Sequence, residues 1–200
     1  MAFSLSCGTA RKSRWRSFGS DANGVAAVEF AYVAPIILLM LIGIVEVSRA
    51  VSIDRRFGLV TSMVADLVAR EKSMTSADLN AVYKIVDQIM SPYDTSTLKL
   101  AVIPVKASPS DASTTRVYPA TTNRPSLNGA SQPAKCAGYT LSSGLVAKGA
   151  SVIVVESSYT YKPLIANYIY GEANWTDKAI ASPRNSCVDF DGDNCVSTCF

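Results

Sequence analysis

Histidine is absent from the 200 residues. Without an imidazole there is no Ser-His-Asp or Cys-His nucleophile, and no metal site that draws on histidine. Charge is scarce as well, at 18% of residues. Four of the 19 basic residues (Arg11, Lys12, Arg14, Arg16) and one of the 16 acidic residues (Asp21) precede residue 25, leaving 15 of each sign beyond it. No basic surface is therefore hidden behind the formal net charge of +3, and nucleic acid is not an expected partner. A phosphate-binding loop is missing, no hydroxyl or thiol has an identifiable base, and the downstream carboxylates show no paired spacing. The expectation is a non-enzymatic chain with no cofactor. Its length allows one domain with accessories.

What the sequence does have is one long apolar run. Phe30–Val45 reads FAYVAPIILLMLIGIV with no charge, and the apolar register extends over Val25–Val47 if Glu29 and Glu46 are admitted. A helix over those residues is roughly 35 Å long, against a hydrocarbon core of about 30 Å. A soluble helix that is apolar on all sides needs a comparable segment to bury it, and the chain contains none. The basic cluster RKSRWR lies just before the run, so the N-terminus is expected in the cytoplasm and the rest exported; Arg49, Arg55 and Arg56 weaken the asymmetry. A cleavable secretory signal ending at Ser48-Arg49-Ala50 is the alternative. Against it stand the long basic region, the length of the apolar core and Glu46 beside the site.

Glu29 lies one turn inside the run, where an unpaired charge is costly and commonly functional. Snorkelling towards the interface, favoured by the positive end of the helix dipole, is the simpler account. Its setting is Asn23-Gly24-Val25-Ala26-Ala27-Val28-Glu29-Phe30, behind a basic leader and ahead of an apolar helix. This resembles the processing site of type IV pilin-like proteins, a glycine cut by a prepilin peptidase with glutamate fifth in the mature chain. The aromatic Phe30 after the glutamate, Pro35 inside the span and the exit Glu46-Val47-Ser48-Arg49 are similar to the TadE family, minor pseudopilins of the tight-adherence (Flp) pilus system. The resemblance is strongest over residues 20–72 and continues weakly into VIVVESSYTYKPL (152–164).

Several consequences are implied by that resemblance. Gly24 and Val25 would form the processing junction, and Glu29 with Phe30 the assembly residues. Cleavage after Gly24 would leave a free amine on Val25, with a reference pKa near 8. Amine and carboxylate from neighbouring subunits would neutralise each other and set the register of packed helices. Ala26, Ala27, Ala31 and Ala34 would permit close approach, although they equally suit lipid. Pro35 and Gly43 are weak points in the helix.

The organisation expected is a basic cytoplasmic leader (1–24), a transmembrane helix (25–47), a helical stalk (48–73) and an exported domain (74–200). Ile53, Phe57, Val60, Val64, Leu67 and Val68 keep helical spacing along the stalk. Thr75-Ser76-Ala77-Asp78 has the form of a capping box opening a second helix, with Leu79, Val82, Ile85, Val86, Ile89 and Met90 on one side and Ser91-Pro92 ending it. Leu98–Val102, Thr114–Tyr118 and Ala150–Tyr161 read as strands. Residues 104–143, rich in Ser, Thr, Pro, Asn and Gly, read as loop, and Leu164–Tyr170 as a short helix or strand. The fold class is α+β: a long N-terminal helix, then a small exported domain with one amphipathic helix on an antiparallel sheet.

Cys7 falls in the leader, whereas Cys136, Cys187, Cys195 and Cys199 fall in the exported part. Four cysteines in an oxidising compartment imply two disulfides, with three possible pairings. No zinc knuckle spacing is present. Asp189, Asp191 and Asp193 resemble the opening of a calcium loop, but the glycine is misplaced and Phe200 stands where the closing glutamate belongs, so a solvated acidic turn is the preferred reading. Asn174-Trp175-Thr176 matches a glycosylation acceptor and carries no weight without the machinery.

The function expected is that of a minor pseudopilin, seated in the bacterial inner membrane with its C-terminal domain in the periplasm. Its expected partners are the prepilin peptidase, other pilin and pseudopilin subunits, the inner-membrane pilus assembly platform and the lipid bilayer. The alternative is an uncleaved, single-pass scaffold or adhesin whose exported domain binds a partner or calcium.

Overall fold

The computed structural model describes residues 23–118, 124–163, 171–192, 195, 199 and 200. Residues 1–22 of the leader, residues 164–170 and Asp193 lie outside the described residues, as do the expectations placed on them. The chain divides between Val45 and Glu46 into two units. In the first, helix α1 (Asn23–Arg70) carries the apolar run; its second half belongs to the other unit. The remaining elements are β1 (Ser73–Met74), α2 (Ser76–Met90), β2 (Lys99–Ala107), β3 (Thr115–Val117), β4 (Ser151–Tyr161), β5 (Ala173–Ala181) and β6 (Asp189–Phe190). The α+β architecture is the one the sequence implies.

Four strands form an antiparallel sheet in the order β3-β2-β4-β5. Strands β2 and β4 lie in its middle; β2 is buried except at Lys99 and Lys106, and β4 carries an unbroken apolar run over Val152–Val155, where both sheet faces are covered. On one face Leu100 and Val102 of β2 and Ile153, Val155 and Tyr159 of β4 pack under Phe57, Val60, Val64 and Val68 of α1 and Leu79, Tyr83, Val86 and Met90 of α2. On the other face Ile103, Val105, Val152 and Val154 are covered by Ala130, Tyr139, Leu141 and Val146 from the long connection between β3 and β4.

Residues 53–69, expected as a stalk, therefore line the domain core through Ile53, Phe57, Val60, Val64 and Val68. The capping box forms as expected: the Thr75 hydroxyl accepts from the Asp78 amide, and the Asp78 carboxylate accepts from the Thr75 amide. The core face of α2 is rotated from the expected one. Tyr83 is buried and Ile85 is 43% exposed, because the steps 79, 83, 86 and 90 run along the sheet while position 85 falls to the side.

Two further corrections concern strands. Strand β2 continues to Ala107, into the stretch expected as loop, whereas β3 falls within the expected Thr114–Tyr118 strand. Pro104 is tolerated because it sits where pairing with β3 stops: its carbonyl still accepts from the Tyr118 amide (3.0 Å), and only the last rung of that ladder lacks a donor. Strand β5 has no counterpart among the expected strands. Its sequence ANWTDKAIA alternates, but Lys178 and Asp177 interrupt the apolar signal on which the strand assignment relied.

Candidate functional site

The first unit offers an apolar cylinder with a single charge. Between Gly24 and Val45 only Glu29 is ionisable apart from Tyr32, and the 22 residues rise by roughly 33 Å, enough to cross a bilayer. Phe30 is 69% and Leu39 67% exposed, and no residue of this stretch is buried. An apolar surface of this extent is stable only against lipid or other helices. The structure places Gly24, Val25, Glu29 and Phe30 together on the first turns of α1, all exposed. Glu29 is one turn beyond Val25, so its residue stands roughly 6 Å along the axis from the junction. Pro35 is accommodated inside the helix.

The second unit begins at a buried carboxylate. Glu46 is only 8% exposed, and its Oε2 accepts a hydrogen bond from the Tyr161 hydroxyl at 3.1 Å. Burial and the adjoining carboxylate both raise the pKa of Tyr161, so the phenol keeps its proton and remains a donor. The Tyr161 ring stacks on Trp175 at 5.1 Å, Trp175 stacks on Tyr159 at 6.1 Å, and Tyr159 meets Phe57 of α1 at 6.1 Å. The Tyr159 hydroxyl donates to the carbonyl of Asp94. The acidic exit of the apolar run and the Tyr-x-Tyr end of β4, separated by 115 residues, thus close one cluster. The sequence marked both segments but held no signal that they meet.

About one turn beyond Phe57 on α1, Thr61 is fully buried and bonds Ser157 of β4 at 2.6 Å. The Thr61 hydroxyl also donates to the Phe57 carbonyl four residues back, so its one proton is used there and Ser157 is the donor across the interface. These two contacts dock the first helix on the sheet.

The cysteines are joined as Cys136–Cys199 and Cys187–Cys195, which selects one of the three pairings. The smaller ring contains Asp191. Its two carboxylate oxygens accept from the backbone amide of Ser76 (3.1 Å) and from the Ser76 hydroxyl (3.0 Å), at the first residue of α2. A carboxylate there satisfies an amide that the helix leaves free and faces the positive end of its dipole. Asp189 enters the parallel pairing of β6 with β1. Of the three calcium candidates, then, Asp191 serves α2. Among the described residues no three acidic or cysteine side chains gather in a metal-holding group.

The model of the TadE-like protein family matches residues 24–70 of the chain, the same stretch that forms α1. No curated protein and no solved structure matches the chain. The likeness to that family covers this segment alone. One helix near the N-terminus is long and apolar enough to anchor it in a membrane.

Proposed function

We propose, with a TadE-like segment over residues 24–70 as the premise, that the protein is a minor pseudopilin of a tight-adherence pilus. In this reading a cytoplasm-facing prepilin peptidase cuts after Gly24, and the mature chain begins at Val25. The observation that carries it is the position of Glu29, the sole carboxylate within an otherwise uncharged 22-residue apolar stretch of α1 and one turn from the junction. A lone carboxylate at that depth is costly in lipid, and the new amine of a neighbouring subunit neutralises it. Its assembly partners are then other pilin and pseudopilin subunits and the inner-membrane platform. The mature helix holds the chain in the inner membrane until assembly, with the disulfide-bonded domain in the periplasm. No catalytic role is assigned.

The test is the N-terminal sequence and intact mass of protein from host membranes, together with Glu29→Ala. The reading expects a start at Val25 and a variant that is processed but not incorporated into pili. A start at Met1, with Gly24→Arg harmless, refutes maturation and leaves a permanent anchor. Normal piliation with Glu29→Ala refutes the role given to that carboxylate.

A further inference from the structure

Strand β5 forms one edge of the four-stranded sheet, and the other edge is guarded. Beyond β3 the chain returns at Cys136–Tyr139, whose amides and carbonyls bond Thr115 and Val117. Beyond β5 no described segment does so. The ladder shows which groups are left over. In β2, the backbone of Pro104 bonds towards β3, so the odd-numbered residues of β2 bond towards β4. Alternation through β4 then directs Ala173, Trp175, Asp177, Ala179 and Ala181 of β5 back to β4. The amides and carbonyls of Asn174, Thr176, Lys178 and Ile180 point outward. One of these is already engaged, since the Lys178 amide donates to the Asp177 carboxylate at 2.8 Å.

The capped amide excludes registers centred on Thr176 or beyond, and the match of Glu172 with Lys178 selects the one centred on Trp175 over one centred on Asn174. In an antiparallel pairing of β5 with itself, centred on Trp175, Asn174 of one copy stands opposite Thr176 of the other. Both outward backbones are open, and the two symmetric pairs exchange four hydrogen bonds. Glu172 then faces Lys178 of the other copy twice, and the half-buried Trp175 side chains meet on the two-fold axis. Centring on Thr176 or Asp177 requires the capped Lys178 amide, and centring on Asp177 also sets that carboxylate against its own copy. An open groove of about 440 Å³ lies between Asp54, Phe57 and Gly58 of α1 and residues 174–177 of β5.

We propose that the outer edge of β5 is a self-association site, pairing two copies of this chain antiparallel about Trp175. The contact is small and the pairing weak in free solution; tethering both copies in one membrane raises their effective concentration. The proposal rests on the exported sheet and not on maturation at Gly24.

The full chain carrying Cys7→Ser, reconstituted in lipid vesicles, provides the test. Asn174→Cys and Thr176→Cys copies are mixed and oxidised. The expected result is a disulfide-linked dimer from the mixture, at least about fivefold above either variant alone, because only residues 174 and 176 stand opposite. Lys178→Glu should lower dimer formation about tenfold, and the exchange Glu172→Lys with Lys178→Glu should restore it. The exchange does not rebuild the internal pairs Glu172–Lys162 (2.9 Å) and Lys178–Glu156 (3.9 Å), so recovery reports the contact between copies. Cross-linking that is absent or equal in all combinations overturns the proposal, as does a charge exchange no better than the single variant. Cross-linking to a different membrane protein, with none to a second copy, assigns the edge to a foreign strand and also overturns it.

Discussion

Replacing Thr61 by valine tests how α1 is held on the sheet. Valine keeps the shape of the side chain and removes the acceptor to which the buried Ser157 hydroxyl donates at 2.6 Å. Ser157 has only a stretched substitute, the Asp177 carbonyl at 3.4 Å, and is itself 5% exposed. The expected cost is about 1–2 kcal/mol, that of leaving a buried donor poorly satisfied. Ser157→Ala removes the other partner and should cost a similar ~1–2 kcal/mol, part of it from the small space left behind. In the double variant neither hydroxyl remains to be orphaned. Its loss should therefore fall short of the sum by about 1 kcal/mol. Urea unfolding of the detergent-solubilised chain, followed through Trp175 in a Trp15→Phe background, reads the effect; Trp175 lies against Tyr159 and Tyr161 and loses both on unfolding. With a slope of about 2 kcal/mol per molar urea, each single change moves the midpoint by roughly 0.5–1 M. A double variant equal to the sum within about 0.5 kcal/mol, or a neutral Thr61→Val, refutes the assignment of this bond as the dock.

Three other outcomes follow from the same structure. Asp191→Ala should destabilise the domain by about 1 kcal/mol through the loss of its contacts to Ser76, and thermal unfolding should respond to calcium no more in the wild type than in the variant; a calcium-specific rise in wild type alone refutes the capping role. Opening the Cys136–Cys199 ring, with a sequence separation of 63, should cost about 4 kcal/mol, against about 2.5 for the Cys187–Cys195 ring with a separation of 8; unfolding of paired Cys→Ser variants tests that order. The carboxyls of Asp78, Asp94 and Asp111 are held below the usual range by hydrogen bonds from Thr75, from Ser96, and from Ser113 with Thr114 respectively. A folded pKa below the unfolded one contributes stability that is present at neutral pH and lost as the pH falls below about 4. Asp78→Asn should flatten that acid limb in a pH series of melting temperatures, and an unchanged limb contradicts the assignment.

Local chemistry made much of this protein legible from sequence. A 16-residue uncharged run cannot be hidden in a chain this size, so a membrane-length helix follows from composition. The Thr75–Asp78 cap and the Ser91-Pro92 stop are short-range signals, and they set both ends of α2. Gly24, Val25, Glu29 and Phe30 are neighbours in sequence and remain neighbours on one helix, so the candidate junction was readable before any fold. What escaped was whatever depends on partners distant along the chain. Tyr83 rather than Ile85 faces the core because the sheet decides which side of α2 is inside. Strand β5 exists because nine of its residues pair with β4, which outweighs the interruption of its apolar pattern by Asp177 and Lys178. The choice between three disulfide pairings, the turn of Asp191 towards α2 and the union of Glu46 with Tyr161 belong to tertiary structure alone. Each brings together groups up to 115 residues apart, and a contact across that distance leaves no periodicity for a single sequence to display.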